Sequence, residues 1–170
     1  EGEKETRGRV SGTLFFKLNM NKKIKAGIGY NLQFQNTGTF LIWESDSLGY
    51  TPSGGADTSN AASTLTYNNG VRFSVDPYIK MYDKKNNLHT LKTRYYFIQN
   101  TNVSNSSQSS NSSVLYGDYQ FQHKWSERSV ITSGITGIKT DVMSKLFGNH
   151  NSQNGAVYAQ YDQNINKLDL

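Results

Sequence analysis

The 170-residue chain contains no cysteine, which rules out a disulfide framework, a thiolate metal site and a cysteine nucleophile. Proline occurs only twice, and alanine and glutamate are sparse against the asparagine, serine, threonine, glycine and tyrosine. That composition disfavours helix and points to an all-β chain. No apolar run approaches the roughly 20 residues of a membrane-spanning helix, and the opening residues do not read as a signal peptide. Neither observation bears on a transmembrane β-barrel, whose strands alternate in polarity and keep overall hydropathy low.

Catalytic patterns are missing too. Asp76, Asp118 and Glu127 make no spaced acid pair, and the serine-rich stretches have no matched His and Asp. The glycines of AGIGYN sit inside an alternating run and open no helix, so they are no phosphate loop. Enzymatic activity, a cofactor and a metal centre are therefore not expected. The net charge of +5 comes from basic residues scattered along the chain rather than gathered in one stripe, which argues against nucleic acid.

What is present is alternation. Ile24, Ala26, Ile28, Tyr30, Leu32 and Phe34 alternate with Lys25, Gly27, Gly29, Asn31 and Gln33. Val71 to Met81, His89 to Phe97, Leu115 to Trp125 and Val157 to Tyr161 repeat the pattern. Strands are expected over about 10–20, 24–43, 67–82, 88–99, 114–125, 129–139 and 154–163. Phe15 breaks the parity of the first, and 129–139 has Ile or Val on both parities, so its faces stay undecided. At about 3.3 Å per residue, a strand from 24 to 43 would run roughly 65 Å, so it either breaks at Gly38 or projects beyond a bilayer.

Residues 1–9 are charged and read as a solvated lead-in. Short turns at 21–23, 83–87, 126–128 and 164–167 alternate with long polar loops expected at 44–66, 100–113 and 140–153. That rhythm is typical of transmembrane barrels, with short periplasmic turns and longer external loops. Bulky polar groups at mid-strand (Lys17, Gln33, Arg94, Asp118, Gln120) suit a wet lumen, and Trp125, Tyr82, Trp43 and Tyr161 are placed as interfacial girdles would be. The fold expected is an antiparallel up-and-down transmembrane β-barrel segment, with about seven strands and a stub. Two alternatives stay open on the residues alone: a soluble β-sandwich that binds carbohydrate or protein, and a self-contained eight-stranded outer-membrane barrel.

The phrasing of GTFLIWESDS, VRFSVDPYIKMYDKKNNLHTLKTRYYFIQNTN, SNSSVLYGDYQFQHKW and NGAVYAQYDQNINKLDL resembles the barrel of Bacteroidetes-type TonB-dependent outer-membrane receptors, from about residue 8 onward. The resemblance implies an outer-membrane transporter that actively takes up a siderophore, a glycan or a similar ligand. Its barrel would have about 22 strands filled by a plug. Its partners would be the lipid bilayer, the rest of its own barrel and plug, TonB through an N-terminal part, and in glycan importers a surface lipoprotein. No plug or TonB box is recognisable, so the chain reads as a middle slice that needs the rest of its barrel to be stable in lipid.

Candidate external ligand contacts are Trp43, Glu44, Asp46 and Tyr50 in WESDSLGYTPSGG, together with His150 in FGNHNSQN. His89 and His123 adjoin turns on the apolar parity, as interfacial side chains would. Three Asn-x-Ser sites (Asn102, Asn105, Asn111) would matter only for a secreted eukaryotic domain.

Overall fold

The computed structural model describes residues 3–19, 23–165 and 168–169. Its strands are β1 (Lys4–Asn19), β2 (Ile24–Thr39), β3 (Thr66–Tyr82), β4 (Leu88–Asn102), β5 (Ser110–Ser126), β6 (Ser129–Ser144), β7 (His150–Ile165) and β8 (Leu168–Asp169). They form one antiparallel sheet in which each strand lies beside the next in sequence. Among the described residues the only helical element is the 3-10 turn Ser106–Gln108. The sheet does not close: β1 pairs only with β2, and β8 only with β7. The described strands thus make neither a two-sheet sandwich nor a closed eight-stranded barrel.

Several expected boundaries move. β1 begins at Lys4, because the charged lead-in pairs with 33–38 of β2 and its side chains bond across the ladder. Arg9 Nε donates to Asn31 Oδ1 at 2.6 Å and Gln35 Nε2 to Glu5 Oε1 at 3.2 Å. β2 stops at Thr39, not at 43, where Phe40 turns into the loop and is buried. Of the three long loops, only 40–65 is long. The stretches 100–113 and 140–153 are mostly ladder, leaving 103–109 and 145–149 as connections. Polar Asn and Ser runs lack the apolar alternation that marks a strand, yet backbone pairing extends through them. The turn at 21–22, Met20, residues 166–167 and Leu170 lie outside the described residues.

Register assigns the faces. Directly paired residues point to the same side of a sheet. Val10, Leu32, Phe73 and Phe97 share one level of the ladder, and Phe16, Ala26, Ile79, Leu91, Tyr119, Ile135 and Val157 share another. This settles β6: Ile131 and Ile135 join the apolar face, while Val130 and Ile138 fall on the polar one. The polar face carries Arg72, Asp76, Arg94, Asp118 and Gln120, with Asp76 and Arg94 ion-paired.

Among the described residues no second layer covers the apolar face. The buried apolar residues with relative exposure below a tenth, Phe40, Leu65 and Pro52, all lie in the 40–65 connection. Leu14, Phe34, Leu115 and Val157 on the sheet are all more than half exposed.

The apolar band is also slanted. Its upper limit is Phe34 on β2, Val71 on β3, Phe97 on β4, Leu115 on β5, Ile135 on β6 and Val157 on β7. Followed along the ladder, that edge descends toward the short turns by about eight residues over five strand steps, or roughly 26 Å along the strands against 24 Å across them. The slope is about 45°, close to the strand tilt of a closed barrel. Lys139 illustrates the effect. It sits level with Leu115, Tyr95, Val75 and Tyr30 in the ladder, but on β6 that level lies above the band, where Lys139 pairs with Asp141 at 3.2 Å. At this tilt the band from Val71 to Met81 stands about 23 Å tall, near the ~25 Å apolar belt of outer-membrane barrels.

Three tyrosines lie over glycines directly across the ladder: Tyr30 over Gly12, Tyr78 over Gly27 and Tyr158 over Gly134. Each glycine leaves room for the ring of its partner, which restores packing that the missing side chain would forfeit. A Cβ on Gly134 would stand 2.3 Å from the Tyr158 ring and 2.7 Å from the Tyr119 carbonyl oxygen. Gly134→Val is therefore expected to destabilise the protein by about 1–3 kcal/mol in urea unfolding. Gly117→Ala, where an added Cβ meets nothing within 4 Å, should stay within about 0.5 kcal/mol.

The turn 83–87 is organised by Asp83. Its carboxylate accepts from the Asn87 and Lys85 backbone N–H groups at 2.9 and 2.8 Å and from Asn87 Nδ2 at 2.8 Å. The Asn87 backbone bond leads the interactions that hold the Asp83 pKa down at about 2. A depressed carboxyl contributes stability above its unfolded value of about 3.9 and loses it as pH falls through the folded one. The stability gap between wild type and Asp83→Asn should therefore narrow as pH drops from about 4 to about 2. A gap constant across that window would remove Asp83 from this role.

Candidate functional site

The connection 40–65 is a folded lobe at the long-loop end of the β2–β3 hairpin. Glycines, serines and asparagines let its backbone reverse several times, and a small core of Phe40, Pro52 and Leu65 fixes it. Trp43 and Pro52 form an antiparallel bridge, with Glu44 N donating to Thr51 O at 3.0 Å and Ser53 N to Ile42 O at 2.9 Å. Thr64 Oγ1 donates to Ile42 O at 2.8 Å, and Ser63 Oγ to Gly55 O at 2.7 Å. Asp57 accepts from the Ser59 N–H and hydroxyl at 2.9 and 2.7 Å, and the hydroxyl bond leads in lowering its pKa.

Within this lobe the candidate residues separate by role. Glu44 Oε2 accepts from the Gly54 N–H at 2.9 Å, so its carboxylate closes the lobe. Trp43 and Tyr50 are 51% and 55% exposed, their ring centroids 6.2 Å apart, and Phe40 packs against Tyr50 at 4.6 Å. Partial desolvation, then the Glu3 carboxylate, raises the Tyr50 pKa. Asp46 is exposed on the same lobe, as are Leu41, Ile42 and Leu48. Two tilted aromatic faces can stack on a ring, and an exposed carboxylate on the same lobe can accept hydrogen bonds.

His150 does not join them. It opens β7, with three strands between it and β3, and its Nε2 bonds the Phe147 carbonyl at 2.8 Å across the 145–149 connection. Its ring is engaged in holding that turn. Sequence reading missed Phe40, Pro52 and Asn60, whose Nδ2 donates to Gly54 O at 2.9 Å. The Gly54-Gly55 pair followed by Asp57-x-Ser59 was the available signal of an ordered lobe.

At the short-turn end the apolar face carries a ring of aromatic and histidine side chains. His89 Nδ1 bonds Tyr119 Oη at 2.7 Å, and His123 Nδ1 bonds Asn87 Oδ1 at 2.6 Å. Phe121 lies between the two imidazoles, 5.1 Å from His89 and 6.5 Å from His123, and Trp125 meets His123 edge-on at 6.3 Å. Tyr161 donates to Ser129 Oγ at 3.2 Å. Trp125 and Tyr161 thus sit on the face expected for a girdle. Tyr82 falls on the polar face, opposite Leu88 with Lys23 above its ring, and Trp43 belongs to the lobe.

Among the described residues, no group of three or more His, Asp or Glu side chains could hold a metal ion, and no helix is long and apolar enough to cross a membrane. Comparison of the chain with known protein families, with curated proteins and with solved structures returns no match.

Gly54→Ala tests the closure of the lobe. A Cβ there would stand 2.1 Å from the Ala62 carbonyl oxygen at a φ of +76°, whereas Gly55, at φ +85°, has nothing within 4 Å. Hydrogen exchange at the Ser63 and Thr64 amides should speed by about a hundredfold or more in Gly54→Ala, where the backbone clash adds to the left-handed cost. Gly55→Ala should change it by no more than about thirtyfold, the reach of a left-handed cost of about 1–2 kcal/mol, and leave Glu44 on Gly54.

Proposed function

We propose that this chain is part of the barrel wall of a TonB-dependent outer-membrane transporter, a receptor for active uptake of a siderophore, a glycan or a similar ligand rather than an enzyme. The observation that carries the reading is the uncovered apolar band, slanted across the strands at about 45°. A single-layered sheet in water would expose that band at a large cost in hydration. Lipid covers it, and a slant equal to the strand tilt keeps it level with the bilayer. The aromatic and histidine ring at the short-turn end supports the same orientation, since amphipathic rings favour the interface.

In this reading the polar face lines the lumen, and the outer edge of β1 and the stretch of β7 beyond its short pairing with β8 continue into further strands, because an open edge cannot stand in lipid. The 40–65 lobe faces outward, with Trp43, Tyr50 and Asp46 available to ligand and Glu44 shaping the loop. The resemblance in strand phrasing adds the class of transporter and its partners: a plug inside the barrel, TonB at the inner side and, in glycan importers, a surface lipoprotein.

The complete protein carrying this chain should fractionate with the outer membrane and require detergent. It should also migrate faster on a denaturing gel unheated than boiled, as closed barrels do. Recovery as a folded monomer in plain buffer would contradict the reading. With the transported ligand in hand, Trp43→Ala should weaken binding by about tenfold or more, the loss of roughly 1.5–2 kcal/mol of aromatic contact.

A further inference from the structure

The polar face holds a concavity of about 820 Å³ lined from β2 to β6, within the size range of small-molecule sites. Its lining has two halves. Toward the short turns stand Lys25, Lys80 and Lys92, all exposed, with Lys80 directly opposite Lys25 and Lys17 on the other side of Lys25. Toward the long connections Tyr96 stands opposite Val114, and Tyr116 opposite Ile138. Arg94, ion-paired with Asp76, shares the level of Tyr116.

The cationic half is not neutralised from within. Among the described residues no carboxylate lies within ion-pair distance of its lysines: Asp76 is held by Arg94, and Asp118, opposite Lys92 in the ladder, accepts from the Tyr158 hydroxyl at 3.2 Å. Like charges directly opposite in a ladder destabilise it, and Lys17, Lys25 and Lys80 form such a row. The other half is a wall of rings and methyl groups, with Tyr96, Val114 and Tyr116 half-buried and Ile138 37% exposed. Low-dielectric walls on a concavity strengthen the field of its charges, here for an anion.

Each half excludes a simpler occupant. An inorganic anion would answer the lysines and leave Val114, Tyr116 and Ile138 against water. A neutral sugar would answer the tyrosines and leave three ammonium groups without a counter-charge. A molecule with an anionic group at one end and a ring or other apolar part at the other answers both, its charge on Lys25, Lys80 and Lys92 and its ring beside Tyr96 and Tyr116. We propose that this concavity is a binding site for such an organic anion, separate from the 40–65 lobe, and that the solute carried through the barrel is an organic anion rather than a neutral glycan. The site rests on the barrel-wall reading, which makes this face the lumen.

The test uses the complete protein in detergent and equilibrium dialysis against protein-free micelles, with three probes. Naphthyl phosphate carries both the charge and the ring, inorganic phosphate only the charge, and naphthyl glucoside only the ring. Naphthyl phosphate should bind at least about tenfold more tightly than either of the others. The double variant Lys25→Gln and Lys80→Gln should weaken it by about tenfold or more, and Tyr116→Ala by about fivefold, while Lys84→Gln on the 83–87 turn leaves it unchanged. Exchange of the two lysines relieves a like-charge contact, so the double variant keeps its fold and its heat-modifiability. Equal binding of naphthyl phosphate to wild type and double variant, in a heat-modifiable barrel, overturns the site and leaves the barrel reading intact. So does inorganic phosphate binding as tightly as naphthyl phosphate, which would mean a simple ion site, or the glucoside doing so, which would mean an apolar cleft with no preference for charge. Loss of heat-modifiability in the wild-type protein overturns the barrel reading itself.

Discussion

The ladder of β1 to β7 holds together through its backbone, and almost nothing packs on either face of it. A sheet in a soluble domain buries one face against a second layer, and its stability comes largely from that burial. Among the described residues the buried apolar side chains, Phe40, Pro52 and Leu65, all belong to the 40–65 lobe. Cover for the apolar face is thus the constraint on which the rest depends. It accounts for an uninterrupted register, for tyrosines laid over glycines where side chains would otherwise be missing, and for an aromatic ring at one rim.

The slant of the apolar band turns that constraint into geometry. A band level with the strands would suit a flat interface with another protein layer. One that descends across the strands at their tilt suits a slab of hydrocarbon, and it explains why Lys139 can share a ladder level with Leu115, Tyr95 and Val75, and Asp141 one with Phe97, Phe73 and Leu32. The polar face is the complement. Its Asp76–Arg94 ion pair, exposed lysines and concavity belong to a surface that meets water or polar protein.

Much of this was legible in the residues. Period-two alternation located most of the strands, because alternate side chains of a strand point to opposite faces, and short polar clusters located the turns at 83–87 and 126–128. Strand ends were harder. Once the ladder leaves the apolar band its side chains are Asn, Ser and Gln, so 110–113, 140–144 and 150–153 looked like loop although their backbones pair. β6 could not be oriented alone, having Ile or Val on both parities; its neighbours decided it through register. The candidate site divided in a similar way. Trp43, Tyr50 and Asp46 share an ordered lobe, but nothing local in the sequence separates them from Glu44, whose carboxylate is spent on Gly54, or announces that His150 turns back onto Phe147. The lysine row was invisible for a simpler reason: Lys17, Lys25 and Lys80 become neighbours only when three strands pair.

The absence of cysteine makes the central claim directly measurable. Single cysteines placed along 24–34 of β2 and 153–163 of β7 in the complete protein, spin-labelled in lipid, report contact with apolar oxygen or with a water-soluble relaxing agent. The account predicts a strict period of two in both strands, with Ile28 and Val157 parities favouring oxygen. It also predicts an oxygen-accessible zone that begins about eight ladder positions nearer the short turns in β7 than in β2. Equal access of both parities to the aqueous agent, or a zone at the same ladder level in the two strands, would contradict it.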